Sequence, residues 1–307
     1  MIQLISFLAK RYNGLKFRLV DFNCIVYFGL IGLLLIFFHK TVSYWQFFIL
    51  IHIGIIFAIL EIIKIYEKFP DKIYSKFLRI FYPIALFLFG WKEIHFLVRM
   101  LYGNFWGTHY VIQFEKSIFG LCPTLWFQQF LRPWLDEIMN FIYNSYYLFM
   151  PAVSFTLFFK RKYTEAYAAF FIGSTVHFSN FVLFYLFPVV GPQEVFSELQ
   201  PLKFTGYFFG ELTRILQSSG SVKGAAFPSS HVSAAFTWSF IALRYEKILG
   251  YILLLLAIGI CIAPVYLGYH YAVDMIFGFV LCLIVIPISL KIMQIRNEDP
   301  AKNSSSS

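Results

Sequence analysis

Long apolar stretches, separated by short polar or charged ones, set the pattern of this chain from near its start almost to its end. The uninterrupted runs predict helices over eight segments: 22–38, 44–63, 80–98, 138–159, 167–190, 228–243, 248–267 and 272–290. Most approach the ~20 residues that a helix needs to cross the hydrocarbon of a bilayer. The first and sixth are short. The third carries Lys92, Glu93 and His95, which also suits a shorter interfacial or tilted helix.

Composition strengthens this reading. Of the 307 residues 59% are hydrophobic and only 13% are charged, and the mean hydropathy is +0.70. A soluble domain cannot cover so apolar a chain with polar surface. The expected class is an all-α integral membrane protein of about eight transmembrane helices.

The formal net charge of +9 raises the possibility of a nucleic-acid partner, but the basic residues are not gathered into one patch. They collect in alternate loops, as membrane orientation requires. With the N-terminus inside, segments 1–21, 64–79, 160–166, 244–247 and 291–307 hold 17 of the 25 Lys and Arg, so both termini are expected in the cytoplasm. Lys10, Arg11, Lys16 and Arg18 precede the first apolar run, and no small-residue cleavage site follows Phe38, which predicts an uncleaved anchor. The compact chain suits a bacterial inner membrane.

The simplest parse is one membrane domain: an N-terminal helix pair over 1–79, a six-helix core over 80–291 and a polar tail over 292–307, expected to be disordered. No internal repeat is visible, which weighs against a transporter built from inverted halves. Two non-cytoplasmic loops, 99–137 and 191–227, are long enough to wall a site. The first is rich in Trp and Phe around Phe114-Glu115-Lys116-Ser117-Ile118-Phe119-Gly120, suiting a helix in the headgroup region. Cys24, Cys122, Cys261 and Cys282 show neither metal-ligand spacing nor a disulfide framework. His39, His52, His95, His109 and His177 are scattered; His52 and His177 lie within spans and are read as helix-packing residues.

Chemistry concentrates in two stretches. Gly224-Ala225-Ala226-Phe227-Pro228-Ser229-Ser230-His231 opens one span, with Pro228 suited to the first helical turn. Ser229 and Ser230 place hydroxyls beside free backbone N–H groups, an arrangement that attracts phosphate. One helical hairpin later, Tyr269-His270-Tyr271-Ala272-Val273-Asp274 opens another span at the same membrane level. His270 and Asp274, four residues apart, share a helix face, so the carboxylate can hold one ring nitrogen while the other faces a substrate. Phosphoryl transfer through histidine needs these parts: His270 as nucleophile, Asp274 to orient it, and His231 to protonate the departing oxygen and later act as base. Zinc is the main rival reading for two histidines and a carboxylate, but no further carboxylate or cysteine ligand is evident nearby. No metal and no cofactor is expected.

These residues resemble the type 2 phosphatidic acid phosphatase superfamily, whose second motif is Pro-Ser-Gly-His and whose third is Ser-Arg, five residues, His, three residues, Asp. Pro228 to His231 and His270 to Asp274 match. The resemblance covers roughly the last 140 residues and implies a six-helix core, a phosphohistidine mechanism and no metal. The Ser-Arg falls on Ala263-Pro264, and the first motif, Lys, six residues, Arg-Pro, falls at best on Asn180, Phe187 and Pro188. Loss of these cations is similar to the inositol phosphorylceramide synthase branch, as is the segment around Phe114 to Gly120 followed by Pro123.

That resemblance implies a lipid phosphotransferase moving a phosphoalcohol headgroup from a phospholipid donor to a ceramide-like acceptor. A lipid phosphate phosphatase with water as acceptor uses the same residues. An oxyanion still requires stabilisation, so the helix start at Ser229 and Ser230 is expected to be joined by Lys223, Arg214 or Arg132.

Overall fold

The computed structural model describes residues 11–196 and 207–300. The ends of the chain, including the serine run of the expected tail, and residues 197–206 of the second long loop lie outside the described residues. Every regular element among the described residues is helical. Among the described residues, six helices are long and apolar enough to cross a membrane, over 19–37, 45–68, 73–97, 163–186, 247–266 and 272–295.

The N-terminal three are α1 (Leu19–Phe37), α2 (Trp45–Lys68) and α3 (Ile73–Leu97). The chain continues through α4 (Thr108–Phe119), the short α5 (Pro123–Phe127), α6 (Pro133–Phe159), α7 (Tyr163–Leu186) and the short α8 (Pro192–Val195). Then come α9 (Phe208–Gly220), α10 (Ser230–Tyr245), α11 (Lys247–Ile260), the short α12 (Ala263–Tyr266) and α13 (Ala272–Ile295). α10 is the hub: α6, α7, α11 and α13 pack around it. Its inward residues include Ser233, Ala235, Thr237, Ser239 and Ala242, all buried, and such small side chains let helix backbones approach closely.

Two expected spans fall outside those six, each for a physical reason. α6 is long enough at 27 residues, but its first half carries buried Asp136, Asn140, Asn144 and Ser145, which lower its hydropathy where it lines the site. α10 has only 16 residues. Enclosed by four neighbours, it presents little surface to lipid and does not need a lipophilic exterior. The expected span 248–267 is among the six, as 247–266, with an interruption after Ile260 before the short turn of α12, which carries Pro264.

α3 begins seven residues before its expected start because Arg79 is buried within it, not held in a polar loop. The guanidinium forms a two-pronged ion pair with buried Asp21 of α1, and Tyr82 donates a hydrogen bond to the same carboxylate at 2.6 Å. His52 of α2 meets Glu93 of α3 at 2.6 Å, both buried. The expectation that His52 packs helices together is realised through this polar contact. α1 and α3 then dock on α7, bringing the N-terminal helices against the rest of the bundle.

Candidate active site

The site forms where α10 and α13 begin side by side. Pro228 does not occupy the first turn of α10, as its position in the sequence suggests. Ser229 is the N-cap, with an extended backbone and an Oγ that accepts from the N–H of Val232 at 3.4 Å. The Ser229 N–H donates to the carbonyl of Asp274 at 2.9 Å, tying the two helix starts together. This approach depends on Gly278: a Cβ there would lie 2.5 Å from the Ser229 carbonyl oxygen. The first N–H groups of α10, those of Ser230 and His231, have no acceptor within the helix itself.

His270 is not on the helix but in the link immediately before α13, whose N-cap is Tyr271. Its contact with Asp274 is therefore made across the cap and not along a helix face. Asp274 Oδ2 accepts from the Tyr271 N–H at 2.8 Å and lies 3.1 Å from His270 Nδ1. The backbone N–H groups of Tyr269 and His270 donate to the carbonyl of Pro264 at 2.9 and 3.2 Å. Thus the segment that aligns with the missing Ser-Arg supports the backbone of His270. Thr124 of α5 donates to the His270 carbonyl at 3.2 Å.

The structure brings together the three residues singled out for chemistry. His231 Nδ1 is 3.1 Å from His270 Nε2, their ring planes 74° apart. His231 and His270 are buried and Asp274 is fully so, with 0% exposure. A hydrogen-bonded line thus runs from Asp274 through His270 to His231. Among the described residues, no group of three or more His, Cys, Asp or Glu side chains is placed to hold a metal ion.

Several neighbours were not foreseen. Tyr143 of α6 lies 2.9 Å from His231 Nε2, and Gln217 of α9 in turn donates to its hydroxyl. Tyr146 meets the His231 ring edge-on at 4.4 Å between centroids, and Tyr269 stacks on Tyr143 at 5.1 Å. The polar run Tyr143-Asn144-Ser145-Tyr146-Tyr147 inside an apolar span was the available signal. Burial pushes the Tyr269 and Tyr271 phenols up, keeping both protonated.

Glu115 of α4 is a second such residue. Its carboxylate accepts from the N–H groups of Ala272 at 2.6 Å and Val273 at 3.4 Å, so it occupies the positive end of α13. Its carboxyl is raised by burial, and the neighbouring Cys122 thiol is pushed up to about 11 for the same reason. With Glu115 and Asp274 both at the start of α13, the start of α10 is the helix end left open to an anion.

The three expected cations do not touch this line. Arg214 is exposed on α9 and paired with Glu211. Lys223 bonds Glu194 at 3.0 Å, both well exposed, with Trp106 beside it. Arg132 precedes α6 and donates to the carbonyl of Leu131 at 2.7 Å. Asn180, at the place of the first-motif Lys, is buried and donates to Ser233 Oγ at 2.7 Å.

No curated protein and no solved structure matches this chain. A family model does: that of the PAP2 superfamily, over residues 109–288, a segment that includes His231, His270 and Asp274. As this match spans more than half of the chain, the protein belongs to the PAP2 superfamily, whose membership supports a lipid phosphatase or phosphotransferase type of activity.

Proposed function

We propose that the protein is a membrane lipid phosphotransferase, resembling inositol phosphorylceramide synthase, that passes a phosphoalcohol headgroup from a phospholipid to a ceramide-like acceptor through a phosphohistidine on His270. The observation that carries this reading is the buried line Asp274, His270, His231, with contacts of 3.1 Å at each link. His270 Nε2 attacks phosphorus, and the P–O bond to the leaving lipid breaks as His231 delivers a proton to its oxygen. Asp274 holds His270 Nδ1–H and compensates the charge of the phosphorylated ring. The acceptor hydroxyl then gives its proton to His231, its oxygen forms the new P–O bond, and the N–P bond breaks. On this reading Ser229, Ser230 and the open start of α10 receive the phosphoryl oxygens, and Lys223 is released from its exposed partner Glu194 to join them.

The charge of the surroundings favours a phosphodiester. Asn180, Ala263 and Pro264 are neutral where the superfamily motifs carry cations. A phosphodiester bears one negative charge, whereas a phosphomonoester near neutral pH bears between one and two. A site poor in cations therefore suits a phospholipid donor better than a lipid monophosphate. The charge distribution of the loops further supports eight passes, cytoplasmic termini and a site at the opposite face.

The test is product analysis in mixed micelles containing phosphatidylinositol, phosphatidate and other phospholipids, with and without ceramide, beside a His270→Ala control. A new phosphosphingolipid formed only with ceramide is the expected result. Release of inorganic phosphate regardless of acceptor would make the protein a lipid phosphatase, and turnover surviving His270→Ala would overturn the mechanism.

A further inference from the structure

The geometry points to Tyr143 and Gln217 as positioning residues for His231, a hydrogen-bonded pair that holds a proton on Nε2 and so confines the proton transferred in the reaction to its Nδ1. This inference rests on the reading of His231 as acid and base. Nε2 of His231 is turned away from His270 and lies 2.9 Å from the Tyr143 hydroxyl, which also receives a hydrogen bond from the Gln217 amide. Nδ1 faces His270 at 3.1 Å, so the reacting phosphorus and its leaving oxygen must enter on that side. Tyr143 is fully buried, leaving no water to replace whichever bond fails.

His231 must exist in two charge states during turnover, and a buried ring needs a partner at Nε2 in each. When neutral and ready to act as base, it carries its lone pair on Nδ1 and its Nε2–H donates to the Tyr143 oxygen 2.9 Å away; the tautomer with the proton on Nδ1, which would accept from the Tyr143 hydroxyl, stands outside the turnover cycle. When protonated on both nitrogens, its Nε2–H donates to the Tyr143 oxygen. The phenol O–H then needs an acceptor, and half a turn of the Gln217 amide presents Oε1 in place of Nε2.

A phenol can accept from Nε2–H while donating its own O–H to the amide oxygen of Gln217, which is the property this position requires in both charge states. Loss of the Nδ1 proton to the leaving oxygen leaves the Nε2–H on Tyr143. The Nδ1 lone pair then faces the acceptor hydroxyl, ready for the second half of the reaction. No tyrosinate forms, and no proton beyond those already counted is moved.

The other groups facing His231 do not substitute for this pair. His270 contacts the opposite nitrogen, and Tyr146 presents its ring to the imidazole. Tyr269 reaches it through Tyr143, on which it stacks. The carrier of Gln217 is itself fixed on α6. Glu137 accepts from the N–H groups of Phe208, Phe209 and Gly210 at the start of α9, and Asn144 donates to Thr213 Oγ1 at 2.8 Å. Both ends of the Tyr143–Gln217 contact are thus held by the same two helices.

The experiment is stopped-flow turnover of p-nitrophenyl phosphate and of the p-nitrophenyl phosphodiester of inositol by the full-length protein in micelles. Nitrophenolate leaves without an acid, so the first half-reaction bypasses the proton from His231, whereas the second needs it as base. Tyr143→Phe is expected to keep the nitrophenolate burst rate within about threefold while steady-state kcat falls about 10- to 100-fold, with KM falling alongside so that kcat/KM is little changed. Gln217→Met should reproduce part of that loss, and Gln217→Glu, which still accepts the phenol proton, should retain more activity than Gln217→Met.

A burst that falls in parallel with kcat would show a merely structural role for Tyr143 and overturn the inference. So would a Gln217→Met variant with wild-type kcat, or a Gln217→Glu variant no better than Gln217→Met. Absence of a burst in the wild-type protein, or a burst that survives His270→Ala, would instead strike the phosphohistidine reading itself.

Discussion

Replacing Asp274 by Asn changes one buried atom and removes a charge, and its consequence can be worked through. Asp274 Oδ2 serves two donors, His270 Nδ1–H at 3.1 Å and the Tyr271 N–H at 2.8 Å. During transfer His270 becomes a phosphorylated imidazolium, so the first contact turns into a charge-assisted hydrogen bond in a buried site. Such a bond contributes about 1.5–3 kcal/mol, equivalent to roughly 10- to 150-fold in rate. Asn also presents an N–H toward Nδ1, which favours the tautomer whose lone pair is on the wrong nitrogen. In a Ser-His-Asp triad the corresponding change costs about 10⁴ in kcat, and the expected loss here is therefore ~10² to ~10⁴. Where the amide oxygen instead takes the Oδ2 position, the Tyr271 N–H keeps its acceptor at the start of α13 and the loss is that of the charge. The assay is turnover per mole of micellar protein, with the thermal unfolding midpoint measured on the same sample. An Asp274→Asn protein that keeps its midpoint and stays within twofold of wild-type turnover would refute the orienting role.

Other perturbations follow from the same contacts. Because burial raises the Glu115 carboxyl above its ordinary value of 4.5, the unfolded chain gives up this proton at lower pH than the folded protein. The contribution of Glu115 to stability is therefore greatest below pH 4.5 and declines as pH rises through the interval up to its folded value. Glu115→Gln should remove that dependence, so its unfolding midpoint should gain on the wild type as pH rises above 4.5; a difference constant with pH would contradict this. Lys223→Ala should lower kcat/KM by about 10-fold, as expected for a lost charged contact to phosphate, whereas Arg214→Ala, whose partner is the exposed Glu211, should stay within about twofold. Unchanged kinetics in both variants would remove Lys223 from the phosphate site.

The helical architecture was legible because hydropathy alone identifies long apolar helices, and the His231, His270 and Asp274 group was legible because its spacing places all three at neighbouring helix starts. What was hidden depends on tertiary contacts. Arg79 reads as a loop cation until Asp21 appears beside it. Glu115 lies 157 residues from the N–H of Ala272 that it caps, and no local pattern announces such a pairing. Tyr143 and Gln217 are 74 residues apart and meet only because α9 folds back along α6. His270 illustrates a subtler limit: the four-residue spacing correctly paired it with Asp274, yet the contact crosses a helix cap and does not follow a helix face.

The central claim is that a phosphoryl group rests on His270 during turnover. It is tested most directly by rapid quenching of the protein in alkali during reaction with an aryl phosphodiester, followed by mass spectrometry under conditions that preserve phosphohistidine. The account predicts a phosphorylated peptide with the modification on His270, accumulating further in His231→Ala, where the base that activates the acceptor for attack on the phosphohistidine is lost, and absent in His270→Ala. Sustained turnover with no modified His270 at any quench time would contradict it.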